Sequence, residues 1–223
     1  MIDKDNLNEL LKKNAISIII FVFMVNYYFI HCFCLDGAFA AAALEDSGWL
    51  SIFNVLLILS AQAFAVWHFC RCNTWKERLG FFSLIYVFQI YALREADFHR
   101  LFTMKNVDNL KLYTSPEVPL VQKLVAGIIF FPFFAFFAYL IIFYGIYTVK
   151  EFFKGTPWAV SFAFWGSCIT ISQIMDKSKM NHGSWRVRGI EEMLEVTAGI
   201  YALLAMIHFT VSLRAKRKTQ DLS

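Results

Sequence analysis

The chain has 223 residues, 58% of them hydrophobic and 25 of them phenylalanine, with a mean hydropathy of +0.53. Soluble domains average roughly 45–50% apolar residues, so a soluble fold of ordinary composition is excluded and a bilayer protein is expected. The net charge is +4, and the basic residues sit in short clusters at the ends of apolar runs. They form no continuous basic face of the kind nucleic acid needs, so nucleic acid is not an expected partner.

The first 13 residues are polar, with Leu7, Leu10 and Leu11 at helical spacing and Asp3 or Asn6 available as an N-cap. They predict a short amphipathic helix on the membrane face. Asn14 to Cys34 is apolar over about the 20 residues a spanning helix requires. That length exceeds the core of a cleaved secretory signal, which runs roughly 7–15 residues. Leu35 to Gly48 carries Asp36, Glu45 and Asp46, no Lys or Arg, and the small-residue run Ala40 to Ala43, which suits close helix contact. A second span is expected from Trp49 to Phe69, ended by Arg71, Lys76 and Arg78.

The third apolar run, Leu79 to Leu93, is short for a hydrocarbon layer of roughly 30 Å. It is therefore expected to continue as helix to about Phe102, through Arg94, Glu95, Ala96, Asp97, Phe98, His99 and Arg100. The segment 103–123, with Pro116 and Pro119, predicts an interfacial excursion on the outer face. A Phe-rich fourth span follows from Val125 to Val149 with Pro132 inside it. The fifth starts at Pro157, a suitable first helical residue, and runs to Met175. The sixth runs from about Ile190 to Leu213, before a basic tail, 214–223.

Only helices and closed barrels satisfy the backbone in lipid. The expected fold is thus all-α, a polytopic bundle of about six transmembrane helices forming a single domain. Lys4, Lys12 and Lys13 precede the first span and no Lys or Arg follows it before Trp49. By the positive-inside rule both termini are then cytoplasmic, in the inner (plasma) membrane.

That topology brings two charged sets to the extracytoplasmic side. One is Arg94 to Arg100; the other is Asp176 to Glu195. Ionisable groups in or against a membrane span point to function. Tyr91, Glu95 and His99 recur every four residues, and Glu191, Glu192 and Glu195 lie three or four apart on a later helix. Glu95, Asp97, His99, Asp176, Glu191, Glu192 and Glu195 are the candidate acid–base groups. Arg94, Arg100, Lys177, Arg186 and Arg188 are the candidate anion-binding residues, the last two helped by a helix N-terminus.

A divalent zinc or iron ion held by Glu95, His99, Glu192 and Glu195 would fit this ligand chemistry. Its bound water would act on an ester or phosphoester. The opposing reading is an ion-pair network at the membrane surface, since each acidic side chain has a basic one nearby in sequence. The functional expectation is a pocket for an anionic lipid or glycolipid headgroup, with metal-dependent hydrolysis or transfer as its catalytic form. An ion or proton path through the same carboxylates is the first alternative, and a non-catalytic assembly subunit is the second. Membrane lipids are the expected partners, together with a second copy of the chain or another membrane protein.

The remaining residues carry blander expectations. Cys32, Cys34, Cys70, Cys72 and Cys168 do not repeat a zinc spacing and are expected as small apolar fillers. His31, His68 and His208 are expected as hydrogen-bonded packing residues and His182 as a loop residue. Ser172 and Ser184 show no nucleophile context, and no phosphate-binding, nucleophile-elbow or dinucleotide motif is present.

Overall fold

The computed structural model describes residues 4–34, 49–96, 110–177 and 185–220, with side chains over 9–27, 50–96, 112–175 and 188–213. These residues are helical, and no strand occurs among them. In chain order the helices are α1 (Lys4–Lys13), α2 (Ala15–Cys34), α3 (Trp49–Arg71), α4 (Trp75–Glu95), α5 (Leu110–Thr114), α6 (Leu120–Phe153), α7 (Pro157–Lys177) and α8 (Trp185–Gln220).

Among the described residues, four helices are long and apolar enough to cross a membrane, over Leu50–Arg71, Leu120–Phe153, Pro157–Met175 and Arg188–Leu213. The protein is therefore a multi-pass membrane protein by length and composition. The fourth expected span begins earlier than its sequence suggested, because helix α6 already starts at Leu120. The third does not meet the same standard. Helix α4 carries Lys76, Glu77 and Arg78 in its first turns and Arg94 and Glu95 at its end, charges that shorten its apolar middle. Its expected continuation to Phe102 is corrected as well: the helix stops at Glu95, with Ala96 as its cap. Of α2, side chains are described to Tyr27, and Ala15–Tyr27 is apolar throughout.

The chain divides into two compact units, Met1–Leu57 with Tyr147–Ser223, and Ile58–Ile146. In the first unit, α7 and α8 make the most extensive helix pair and α2 packs on α8. Helix α7 buries Trp158, Ser161, Trp165, Cys168 and Ser172, a stripe with alternating steps of three and four that marks one helix face. Helix α8 buries Ala198, Ala202 and Ala205, at 0%, 1% and 0% exposure. Small side chains let neighbouring backbones approach, which is how helices gain contact in lipid. Gly199 shows how close that approach is: a Cβ there would run into Asn54 Oδ1 and press on Leu57, both on α3. A core of Met24, Leu50, Met193 and Val196 ties α2, the start of α3 and α8 together.

The turn between α6 and α7 has a recognisable origin. Gly155 takes a positive φ of 67°, which suits glycine because it lacks a Cβ. Its N–H donates to the Phe152 carbonyl at 2.8 Å and the Thr156 N–H to the Glu151 carbonyl at 3.0 Å. These are the paired bonds of a Schellman stop, and Pro157 then opens the next helix. The Glu151 carboxylate accepts from Lys154 Nζ at 2.7 Å and from Thr156 Oγ1 at 2.8 Å, bracing the turn. Lys154 is held protonated to higher pH than an ordinary lysine by that bond to Glu151. Asn14, at the break between α1 and α2, sends its Nδ2 to the Leu10 carbonyl and to the Gly155 carbonyl, each at 3.0 Å.

The second unit is fastened by aromatic and polar contacts. Thr74 caps α4, accepting from the Glu77 N–H at 3.3 Å, the two residues in capping-box spacing. The His68 ring stacks on Phe81 at 5.2 Å, and the Arg71 guanidinium lies 4.2 Å from the Trp67 ring centre. Gln62 donates to Gln89 at 2.9 Å. Tyr144 donates to the Lys76 carbonyl at 3.0 Å and lies directly over Gly80, where a Cβ would collide with its ring. Pro132 lies within α6; a proline there removes one helix bond. One residue-turn away, Tyr86 donates to the Ile129 carbonyl at 2.6 Å, supporting the helix beside that gap. Phe131, Phe134, Phe137, Ile141 and Ile142 of α6 are exposed, as lipid-facing side chains would be. Cys72 and Cys168 are buried as fillers, whereas Cys70 is exposed. Burial raises the Cys72 thiol above its ordinary range.

Candidate functional site

The polar residues of the first unit collect along the α7–α8 pair. Near one end, Ser172 Oγ on α7 donates to Glu195 Oε1 on α8 at 2.9 Å. Ser172 is fully buried and Glu195 is 7% exposed, inside a segment otherwise apolar enough to cross a bilayer. A carboxylate so placed is costly unless hydrogen-bonded. The serine on the facing helix meets that need.

One turn before Glu195, Glu191 and Glu192 are half-buried, as is Arg188. The same antiparallel register that sets Ser172 against Glu195 carries the last turn of α7, with Asp176 and Lys177, alongside the turn holding Glu191 and Glu192. Arg186 lies in the first turn of α8. Helix packing therefore brings six of the sequence-derived residues, with Glu195, to one end of one helix pair: Asp176, Lys177, Arg186, Arg188, Glu191 and Glu192.

The other charged set is only partly described. Glu95 ends α4 in the second unit, its side chain 4% exposed, with Arg94 Nη1 at 3.6 Å from its Oε1. Asp97, His99 and Arg100 lie outside the described residues, as does His182. Among the described residues no three His, Cys, Asp or Glu side chains gather into a metal-holding group. The expected metal set divides accordingly: Glu95 belongs to one unit, Glu192 and Glu195 to the other, and His99 is not described.

A second polar feature escaped the sequence reading. Toward the other end of α7 and α8, Ser161 Oγ lies 3.2 Å from His208 Nδ1 and 3.2 Å from Ser17 Oγ of α2. Tyr201 of α8 donates to the Ser17 carbonyl at 2.8 Å. Ser17, Ser161 and Tyr201 are fully buried. The signal for these residues was present, since Ser161 and Ser172 share the stripe of Trp158, Trp165 and Cys168. Small polar residues in an apolar run simply read as packing until a partner is known. His208 was expected to be hydrogen-bonded, and it is.

No known protein family, curated protein or solved structure matches this chain. The reading of function rests on its own geometry.

Proposed function

We propose that this multi-pass membrane protein binds the anionic headgroup of a membrane lipid or glycolipid at the end of the α7–α8 pair that carries Glu195. Arg186, Arg188 and Lys177 supply the cationic contacts, and Asp176, Glu191, Glu192 and Glu195 hold and orient them. The carrying observation is the burial of Glu195 against Ser172. A carboxylate kept inside an apolar span by a dedicated donor is a fixed element of a polar site, unlike a charge that reaches freely to the interface.

In this reading the bundle makes six crossings, α2 and α4 adding to the four strong spans. Its termini are cytoplasmic and its polar end lies on the outer side of the inner membrane. Helix α2 has 20 residues, about 30 Å at the helical rise, which matches the hydrocarbon layer. Hydrolysis or transfer of the bound headgroup is the catalytic extension, with zinc or iron as the metal; elemental analysis of the purified protein decides it.

The binding test is lipid retention. The full chain in nanodiscs of mixed zwitterionic and anionic lipid should enrich anionic lipid, and Arg188→Gln should reduce that enrichment. Equal lipid ratios around the wild type and in the bulk would refute the proposal. A second reading, a proton or cation path, is favoured by the same Ser172–Glu195 bond within the span. It predicts a flux in liposomes that Glu195→Gln abolishes.

A further inference from the structure

We propose that His208 is a proton-binding site within the membrane, charged and discharged through the hydroxyls of Ser161 and Ser17. It uses none of the residues assigned to headgroup binding. The geometry is a continuous chain across three helices: Ser17 Oγ, Ser161 Oγ and His208 Nδ1, each 3.2 Å from the next. Both hydroxyls belong to residues with no solvent exposure. A chain of this kind has two internally consistent polarities. With a neutral imidazole whose Nδ1 accepts, Ser161 donates to Nδ1 and Ser17 donates to Ser161. With an imidazolium, Nδ1–H donates to Ser161, Ser161 donates to Ser17, and the Ser17 hydrogen turns away from the chain.

Ser17 lies in the first turn of α2, one helical turn after Asn14, whose Nδ2 donates to the Leu10 and Gly155 carbonyls and so docks this end of the chain on the turn before α7. Uptake moves one proton: Ser17 Oγ takes one from hydronium as it passes its own to Ser161, and Ser161 passes its own to Nδ1. One water is left behind and one imidazolium forms. Release reverses each step.

Among the described residues, no charged side chain acts on the imidazole. From α7 it meets Ser161 and the Pro157 backbone carbonyl, and from α2 the chain meets Ser17. On its own helix, Tyr201 is committed to the Ser17 carbonyl. Among the described residues at this end of the unit, Glu151 pairs with Lys154 and Glu9 with Lys13, and the Tyr147 ring stacks on Trp158.

The test is a titration of the full chain in lipid nanodiscs with 15N-labelled histidine. The chain has five histidines, and His208→Gln assigns the resonance while keeping a hydrogen-bonding side chain. His208 should pass from neutral to imidazolium as the pH is taken from neutral down to the limit at which the chain stays folded. Ser161→Ala should lower its proton affinity about five- to tenfold, the worth of one hydrogen bond. Ser17→Ala should lower it less, through the same chain, and covers the case in which Ser161→Ala fails to fold. A His208 that stays neutral across this range overturns the proposal. So does an unchanged titration in both serine variants, because hydroxyls that hand the proton on also set how tightly it is held.

Discussion

Replacing Ser172 with alanine removes one hydroxyl and nothing else of consequence, which makes it the cleanest probe of the buried carboxylate. The hydroxyl is fully buried and lies 2.9 Å from Glu195 Oε1. A hydrogen bond to a charged group is worth about 1.5–3 kcal/mol, against about 1 for a neutral pair. Polar pairs measured within a membrane average about 0.6 kcal/mol, with a maximum near 1.7. The Ser172–Glu195 bond should therefore fall near the upper part of that scale, about 1.5 kcal/mol, a shift of roughly tenfold in the unfolding equilibrium. The assay is reversible unfolding in mixed micelles, followed by tryptophan fluorescence, since Trp158 and Trp165 are buried on the same helix as Ser172. Wild type, Ser172→Ala, Glu195→Leu and the double variant form a cycle that isolates the pair. A coupling below about 0.5 kcal/mol, within the usual additivity error, would refute the claim that this serine holds the carboxylate in the span.

Further outcomes follow from other contacts. Gly155→Ala should destabilise the protein by roughly 1–2 kcal/mol, the cost of a left-handed residue, while the exposed Leu10 methyl that its Cβ meets turns aside; thermal unfolding in detergent measures this. Gly199→Ala should cost about 1–3 kcal/mol as an overpacked contact, since its Cβ meets Asn54 and Leu57; the same melt checks it. Tyr86→Phe should cost about 1 kcal/mol and speed amide exchange around Pro132 in α6, where the Ile129 carbonyl loses its side-chain donor. The Glu9 carboxyl is held below its ordinary range by its hydrogen bond to Lys13. Its contribution to α1 is full above the ordinary glutamate range and is lost as pH falls through the lowered value, so amide protection over Lys4–Lys13 should fade only in acid and Glu9→Gln should remove that dependence.

The membrane character and most helices were legible because they depend on runs of like residues. Pro157 marked the start of α7. The limits of α4 were misjudged because a short apolar run was lengthened to fit the bilayer, while the chain closes that helix at Glu95 with Ala96. Leu120 to Lys123 were read as part of an interfacial excursion containing two prolines, yet Pro119 is compatible with a helix beginning at the next residue. The pairings Ser172 with Glu195 and Ser161 with His208 were not legible. They depend on the register of two helices, which no single-helix periodicity contains.

Asn14 and Gly155 are separated by 141 positions, and this has a meaning for biogenesis. While the ribosome is still working on the middle of the chain, the Asn14 amide has the Leu10 carbonyl to bond but lacks its second acceptor, because Gly155 has yet to be made. Docking of the leading amphipathic segment can therefore act as a late checkpoint, completed only after the connection before α7 has emerged and turned.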